Sequence, residues 1–177
     1  KKGVHLLVQA LARLHCAGRR FRAVVAGDGP ELNSLQKLAV HCGVSSRIEW
    51  KGALIHSEVT ALMRGASVFV LPCVIADDGD RDGIPVVLME AMAVGVPCVS
   101  SDFPAIRELI EDGVSGRLIA PADVKELARA IEELTWDSSL RARICFGGKE
   151  AVACEFSTRL NGHRLLDVFQ GEREVVS

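Results

Sequence analysis

Ser67-Val-Phe-Val-Leu71, Pro85-Val-Val-Leu-Met-Glu-Ala-Met-Ala-Val94 and Val96-Pro-Cys-Val-Ser100 decide the fold. The first and third segments are short apolar runs, which are typical of strands buried on both faces. The second segment follows a polar loop and has the length of a helix. A buried strand, a helix and another buried strand in this order predict a strand–helix–strand unit with parallel strands.

The same alternation extends outward in both directions along the chain. Strands are predicted at residues 21–26, 48–51, 67–71, 96–100 and 116–119, with helices between them. The sequence therefore predicts an α/β fold, a Rossmann-like parallel sheet with helices on both faces. Open sheets of this kind bind ligands beyond the carboxyl ends of their strands. We expect function in the loops after residues 26, 51, 71 and 100.

Composition excludes several classes of function. The 177 residues include 21 Lys and Arg against 23 Asp and Glu, so no broad basic surface for nucleic acid is expected. No apolar run approaches the roughly 20 residues that cross a bilayer. The six cysteines lack Cys-x-x-Cys and zinc-like spacing, which favours reduced thiols in a cytoplasmic protein. Peripheral attachment at the inner face of the membrane stays open.

Two glycine-containing loops resemble known ligand motifs and fail the comparison. Residues 78–83 begin like a calcium loop, but Met89 stands where that loop needs its bidentate glutamate. Residues 27–29 read Gly-Asp-Gly, but Pro30 and the absence of a third glycine exclude a dinucleotide fingerprint. Gly27 is either a tight turn or part of a ligand-lining loop. No metal site is predicted.

Two acidic residues flank the predicted start of the helix at Pro85. Asp82 precedes it, and Glu90 is the only ionisable residue in the otherwise apolar helix, so we expect Glu90 to be buried. A buried carboxylate needs hydrogen-bond donors. Those donors are either protein groups, such as an arginine or a backbone amide, or the adjacent hydroxyls of a ribose. The helix start at Pro85 attracts anions, and so does the helix start after Lys2. Both observations favour a ligand, rather than protein groups, as the source of the donors.

Taken in order, these motifs resemble the donor-binding, C-terminal half of a family four retaining glycosyltransferase with the GT-B fold. The resemblance extends from Lys2 to about Phe169. The residues that carry it, in chain order, are 2–3, 25–30, 48–52, 66–72, 82–85, 90–93, 95–97, 112–113 and 116.

The resemblance implies a role for each matching position. Glu90 matches the second acid of the Glu-x7-Glu motif, which holds the donor ribose, and Asp82 matches the first, which contacts the donor sugar. Both are expected to be catalytic. Lys2 would neutralise the donor diphosphate, and its companion arginine would lie upstream. The other residues expected to bind the donor are Gly27, Leu54 at the base, Gly83, Ile84, Pro85, Val86 and Val87.

The sequence departs from the common pattern at two places. Asp82 replaces the more frequent Glu, and Gly-Ile-Pro at residues 83–85 replaces Gly-Phe-Gly. Such variants resemble members that build bacterial exopolysaccharides of the colanic-acid type.

The implied function is transfer of a sugar from a nucleotide-diphosphate donor to a glycan, lipid-linked or other acceptor, with retention and without a cofactor or metal. The alternatives are a non-catalytic nucleotide-binding or interaction module, or another GT-B enzyme such as a sugar-nucleotide epimerase or glycogen-type synthase.

The resemblance also predicts how the chain is organised. Residues 1–170 form the donor-binding domain, and residues 171–177 form a frayed tail. The chain resembles a piece of a longer one, in which the first strand of the sheet and an N-terminal acceptor domain are missing. The isolated piece is then expected to be inactive. Its partners would be the nucleotide sugar, the missing domain and the acceptor.

Overall fold

The fold is known from a computed structural model, which describes residues 2–75 and 83–155. Helices and strands alternate along these residues. The helices are α1 Val4–Cys16, α2 Leu32–His41, α3 His56–Arg64, α4 Val86–Val94, α5 Pro104–Arg107, α6 Val124–Trp136 and α7 Ser138–Glu155. The strands are β1 Ala23–Ala26, β2 Ile48–Gly52, β3 Phe69–Leu71, β4 Cys98–Ser101 and β5 Arg117–Ile119. A short 3₁₀ turn, Ser45–Arg47, precedes β2.

All ladders among these strands are parallel, as predicted. In one sheet β1 pairs with β2, so that Ala23 lies opposite Ile48. In the other sheet β4 lies between β3 and β5. There Leu71 lies opposite Ser100, which in turn lies opposite Leu118. The five predicted strands are confirmed, although β1, β3 and β4 each begin two residues later than expected.

Within the residues that the structure describes, the strands fall into two parallel sheets that share a core. No ladder joins β1 to β3, so the strands form one two-stranded and one three-stranded sheet. Side chains connect the two sheets instead. Ile48 of β2 and Val99 of β4 belong to the same buried cluster, and Val25 and Val70 pack against it. A strand ahead of α1 stays a prediction.

Helices cover both faces of the strands, as predicted. Val99 of β4 faces a first core, which contains buried residues of α1 and α6. The preceding residue, Cys98, faces a second core, which contains buried residues of α3 and α4. Successive residues of a strand point to opposite faces, so these two neighbours place a helical layer on each side. Helix α7 contacts both layers, through α6 and α4.

Helix α6 begins directly after Asp123, whose side chain caps its start. The Asp123 carboxylate accepts a hydrogen bond from the Glu126 N–H at 2.8 Å. The Glu126 carboxylate accepts one from the Ala120 N–H at 2.9 Å. The Asp123 side chain therefore satisfies an amide that the first turn of α6 would otherwise leave open, and Glu126 fixes the connection just before the helix.

Two expectations concern segments beyond these elements. The predicted frayed tail at residues 171–177 lies outside the described residues. Within the described residues, no helix combines the length and the apolar character that a bilayer span requires.

Candidate functional site

The start of α1 lies against the carboxyl end of β3. Gly3 precedes the helix with a φ of 61°, and a Cβ added there would lie 1.8 Å from the carbonyl oxygen of Pro72. Pro72 directly follows β3, so only glycine allows this approach. The exposed residue Lys2 is thereby held beside the loop that leads from β3 to α4. This is the edge of the sheet where we expect the ligand.

The β3–α4 connection contains most of the residues to which the sequence assigns a role. Asp82, the predicted first acid, lies outside the described residues, as do residues 76–81. Its role stays a prediction. Of the next three residues, Gly83 is exposed, Ile84 is half-buried and Pro85 is buried. The backbone of this segment therefore approaches α4 along the surface of the site.

The start of α4 is open. Pro85 lies just before the helix rather than at its first position, which corrects the predicted start by one residue. Among the described residues no side chain caps this end, and the Pro85 carbonyl accepts the Leu88 N–H at 2.9 Å. The N–H groups of Val86 and Val87 have no hydrogen-bond partner among the described residues. Such amides, together with the positive end of the helix dipole, attract anions.

Glu90 is less buried than the sequence predicts. Its side chain keeps 34% of its exposure, because α4 turns Leu88, Ala91 and Met92 toward the core and Glu90 toward α3. The helix is apolar in composition but is not enclosed on all sides, since Val86 is 62% exposed. Among the described residues no arginine contacts Glu90. Oε1 lies 3.6 Å from Nδ1 of His56, and Oε2 has no partner there.

The loops after β1 and β2 complete this edge. Gly27 has a φ of 127°, and its N–H donates to the Gly52 carbonyl at 2.7 Å. A Cβ at Gly27 would meet nothing within 4 Å, so the turn needs glycine for its backbone angle rather than for space. Leu54 is half-buried beside the 67% exposed Ile55. These residues form an open, partly apolar shelf next to His56.

The end of β4 carries polar groups at the same edge. The Ser100 hydroxyl donates to the Leu71 carbonyl at 2.8 Å and thus ties β4 to β3. The Ser101 hydroxyl is buried without a hydrogen-bond partner. Arg107 donates two hydrogen bonds to the Asp102 carboxylate, which hold the pKa of Asp102 below its ordinary value. The β4–α5 connection is therefore fixed by its own ion pair.

The structure brings together part of the predicted set. Glu90 and the start of α3, with Leu54 close before it, form one group, and the open start of α4 lies on the same helix as Glu90. His56 is not among the residues to which the sequence assigns a role. The signal that could have identified it is its place at the first position of α3, just after a strand whose carboxyl end faces the site.

A groove of about 560 Å³ lies away from this group. It is lined by residues of the α5–β5 connection and of α7, including Arg107, Glu108 and Phe146. A Cβ at Gly116 would lie 3.2 Å from the carbonyl of Cys98, the first residue of β4. The groove therefore lies toward the edge where β4 and β5 begin, and it contains none of the predicted donor-binding residues.

Comparison with known proteins supplies a family. A model of the family described as glycosyl transferases group 1 matches residues 1–150. A Salmonella typhimurium protein, WcaL, assigned provisionally as a colanic acid biosynthesis glycosyltransferase, is 36% identical over 171 residues. The amylovoran biosynthesis glycosyltransferase AmsK of Erwinia amylovora is 33% identical over 171 residues. In both comparisons the match covers 96% of this chain but only 42% of the relative.

Solved structures share the fold. Anabaena HepE in complex with UDP-glucose matches with a TM-score of 0.83 and 23% identity, over 96% of this chain and 45% of HepE. The C-terminal domain of a group 1 glycosyl transferase, LpcC of Francisella tularensis, matches with a TM-score of 0.75 and 22% identity. That match covers 89% of this chain and 80% of the LpcC domain. The parallel α/β fold with helices on both faces is therefore the fold of these proteins.

Proposed function

This chain belongs to the glycosyl transferases group 1 family, and from that premise we propose that it is the donor-binding half of a retaining GT-B glycosyltransferase. The enzyme moves a sugar from a nucleotide-diphosphate donor to a glycan, lipid-linked or other acceptor. The observation that carries this proposal is the position of Glu90. Its carboxylate stands on α4, one turn beyond two open amides, at the ligand-binding edge of the sheet.

The arrangement suits a nucleotide diphosphate. A carboxylate accepts hydrogen bonds from vicinal hydroxyls, as on a ribose, and the open amides of Val86 and Val87 suit phosphate or sugar oxygens. The half-buried Leu54 offers apolar surface for a base. Names of relatives agree with this reading, since WcaL and AmsK are assigned to polysaccharide biosynthesis and HepE was solved with UDP-glucose.

The proposed mechanism needs no metal. The charge that develops on the leaving diphosphate is stabilised by fixed donors, namely the ammonium of Lys2 and the amides that begin α4. The bond between the anomeric carbon and the diphosphate oxygen breaks, and an oxocarbenium-like centre forms that Asp82 contacts through the sugar. The acceptor hydroxyl then attacks from the same face, which retains the anomeric configuration.

The chain spans 42% of the length of the curated relatives that it matches, so turnover needs more than this chain. We propose that the acceptor site lies in the part of the enzyme that corresponds to the rest of those relatives. The 177-residue chain is then expected to bind donor weakly and to transfer nothing. Turnover measured with this chain alone would contradict that expectation.

Calorimetric titration of the chain with UDP, GDP and ADP tests the binding function. At least one nucleotide is expected to bind, and Glu90→Ala is expected to weaken it by about 10- to 150-fold, the value of a hydrogen bond to a charged group. Glu150→Ala, an exposed glutamate on α7, is the matched control and should leave affinity unchanged. Binding that survives Glu90→Ala unchanged would overturn the role of Glu90.

The same titration separates the rival functions. If no nucleotide binds, an interaction module without nucleotide is favoured over the transferase. If a nucleotide binds through Glu90, product analysis with an enzyme that includes the acceptor portion, supplied with a panel of nucleotide sugars, decides between transfer and epimerisation. Transfer of the sugar to a glycan or lipid-linked acceptor is the expected product.

A further inference from the structure

We infer that His56 is a positioning residue that fixes the orientation of the Glu90 carboxylate for a nucleotide ribose; the inference rests on the proposed function. The two side chains come from different elements, the start of α3 and the middle of α4. Nδ1 of His56 and Oε1 of Glu90 are 3.6 Å apart. The contact thus joins the loop after β2 to the helix that presents the carboxylate.

Exposure shows how the pair is arranged. The His56 side chain is 75% exposed, whereas the Glu90 side chain is 34% exposed. The imidazole therefore approaches the carboxylate from the solvent side of the pair. It engages Oε1 and leaves Oε2 without a partner among the described residues. Oε2 can then accept a hydrogen bond from one ribose hydroxyl. Oε1 can accept one from the second hydroxyl while it stays in contact with the imidazole.

Nearby charged groups do not compete for His56. On its own helix, the Glu58 carboxylate accepts the Ile55 N–H at 3.1 Å and so contributes to the start of α3. On β2, Lys51 pairs with Glu49 rather than with Glu90. Among the described residues, Glu90 is therefore the one carboxylate that the imidazole contacts.

The benefit of this contact is preorganisation. A glutamate has three side-chain torsions, and ordering such a side chain on binding costs about as much as a several-fold change in affinity. The polar contact of the imidazole with Oε1, at 3.6 Å, restricts the carboxylate before the nucleotide arrives. Removal of the imidazole should therefore weaken binding by about 3- to 10-fold, less than removal of the carboxylate itself.

The test compares ribonucleotides with their 2′,3′-dideoxy analogues. UDP, GDP and ADP, and the corresponding dideoxy nucleotides, are titrated into the wild-type chain and into His56→Ala, His56→Asn, Glu90→Ala and the double variant. His56→Ala should weaken the ribonucleotide by about 3- to 10-fold and leave the dideoxy nucleotide unchanged. His56→Asn should restore affinity, because its amide nitrogen takes the place of Nδ1. In the Glu90→Ala background, His56→Ala should have no further effect.

His41→Ala, an exposed histidine at the end of α2, is the control and should leave every affinity unchanged. Equal losses for ribo- and dideoxynucleotides in His56→Ala would overturn the inference, since His56 would then contact base or phosphate. An unchanged His56→Ala, with a weakened Glu90→Ala, would overturn the inference and leave the proposed function intact. Absence of any nucleotide binding by the wild-type chain would overturn both.

Discussion

Helices α4 and α6 both follow a strand of the same sheet, yet they begin in opposite ways. Helix α6 is closed by Asp123 and Glu126, which occupy amides of the protein itself. Helix α4 begins after Pro85, which has no side chain that could accept a hydrogen bond, and the amides of Val86 and Val87 find no partner in residues 2–75 and 83–155. A helix that only supports the fold gains from a cap. A helix whose start is left open in a folded domain is a candidate for binding an anion.

The start of α1, like that of α4, has no side-chain cap among the described residues. A substitution at Gly3 tests how the position of this helix start is maintained. Gly3→Ala should destabilise the chain by about 2–5 kcal/mol. A left-handed conformation costs an alanine roughly 1–2 kcal/mol, and the clash with Pro72 adds about 1–3 kcal/mol. Urea denaturation measures the effect. Gly43→Ala is the control, since its φ is 71° but its Cβ would meet nothing within 4 Å. Equal losses in the two variants would show that the contact with Pro72 is not tight.

Removal of the cap on α6 is the next largest change. Asp123→Ala should lower the free energy of unfolding by about 1 kcal/mol, because the Glu126 N–H loses its acceptor. Nucleotide affinity should stay the same, as measured by titration. If affinity falls as far as it does in Glu90→Ala, the closed start of α6 also serves the ligand and the comparison fails.

A new cap at the start of α4 should lower nucleotide affinity and leave stability nearly unchanged, which is the reverse of the result expected for Asp123→Ala. In Pro85→Ser, a hydroxyl can accept the N–H of Val87 or Leu88 and compete with the ligand. We expect nucleotide affinity to fall by about 5-fold, equivalent to about 1 kcal/mol. The stability should change by less than about 1 kcal/mol, since the new cap offsets the lost rigidity of proline. Asp123→Ser, which keeps a cap on α6, should change neither quantity much. Unchanged affinity in Pro85→Ser would mean that these amides do not meet the ligand.

The smallest effect concerns the β4–α5 connection, which is closed by an ion pair rather than by a cap. Arg107 lowers the pKa of Asp102 below its ordinary value. A lowered pKa in the folded state adds stability above the ordinary pKa, and that stability is lost as pH falls through the folded-state pKa. Asp102→Asn should therefore lower the urea midpoint slightly at pH 7 and have less effect near pH 3. A larger loss at pH 3 than at pH 7 would contradict this assignment.

The sequence predicted the order and the type of the elements because the buried strands are nearly continuous apolar runs. The sequence did not predict the features that depend on contacts between distant segments. The partial exposure of Glu90 depends on which side of α4 faces α3, and the contact with His56 joins residues 34 positions apart, from position 56 to position 90. The apolar composition of α4 indicated neither the exposure of Glu90 nor its contact with His56.

The pairing of strands into sheets likewise depends on contacts between distant segments. Apolar runs predict that strands are buried, but they do not specify which strands share a ladder. Side chains of Ile48 and Val99 fill one core across the boundary without backbone pairing between β1 and β3. The residues predicted to bind the donor belong to both sides, with Gly27 and Leu54 after the first sheet and Glu90 on α4 beside the second.

The placement of the proposed ligand contacts has a consequence for exchange measurements. Leu54 follows β2, whereas Glu90 stands on α4 beside the three-stranded sheet. A nucleotide held by both residues would connect these two parts of the fold. Its binding should slow amide deuterium uptake in β1 and β2, although those strands lie outside the helix that presents Glu90.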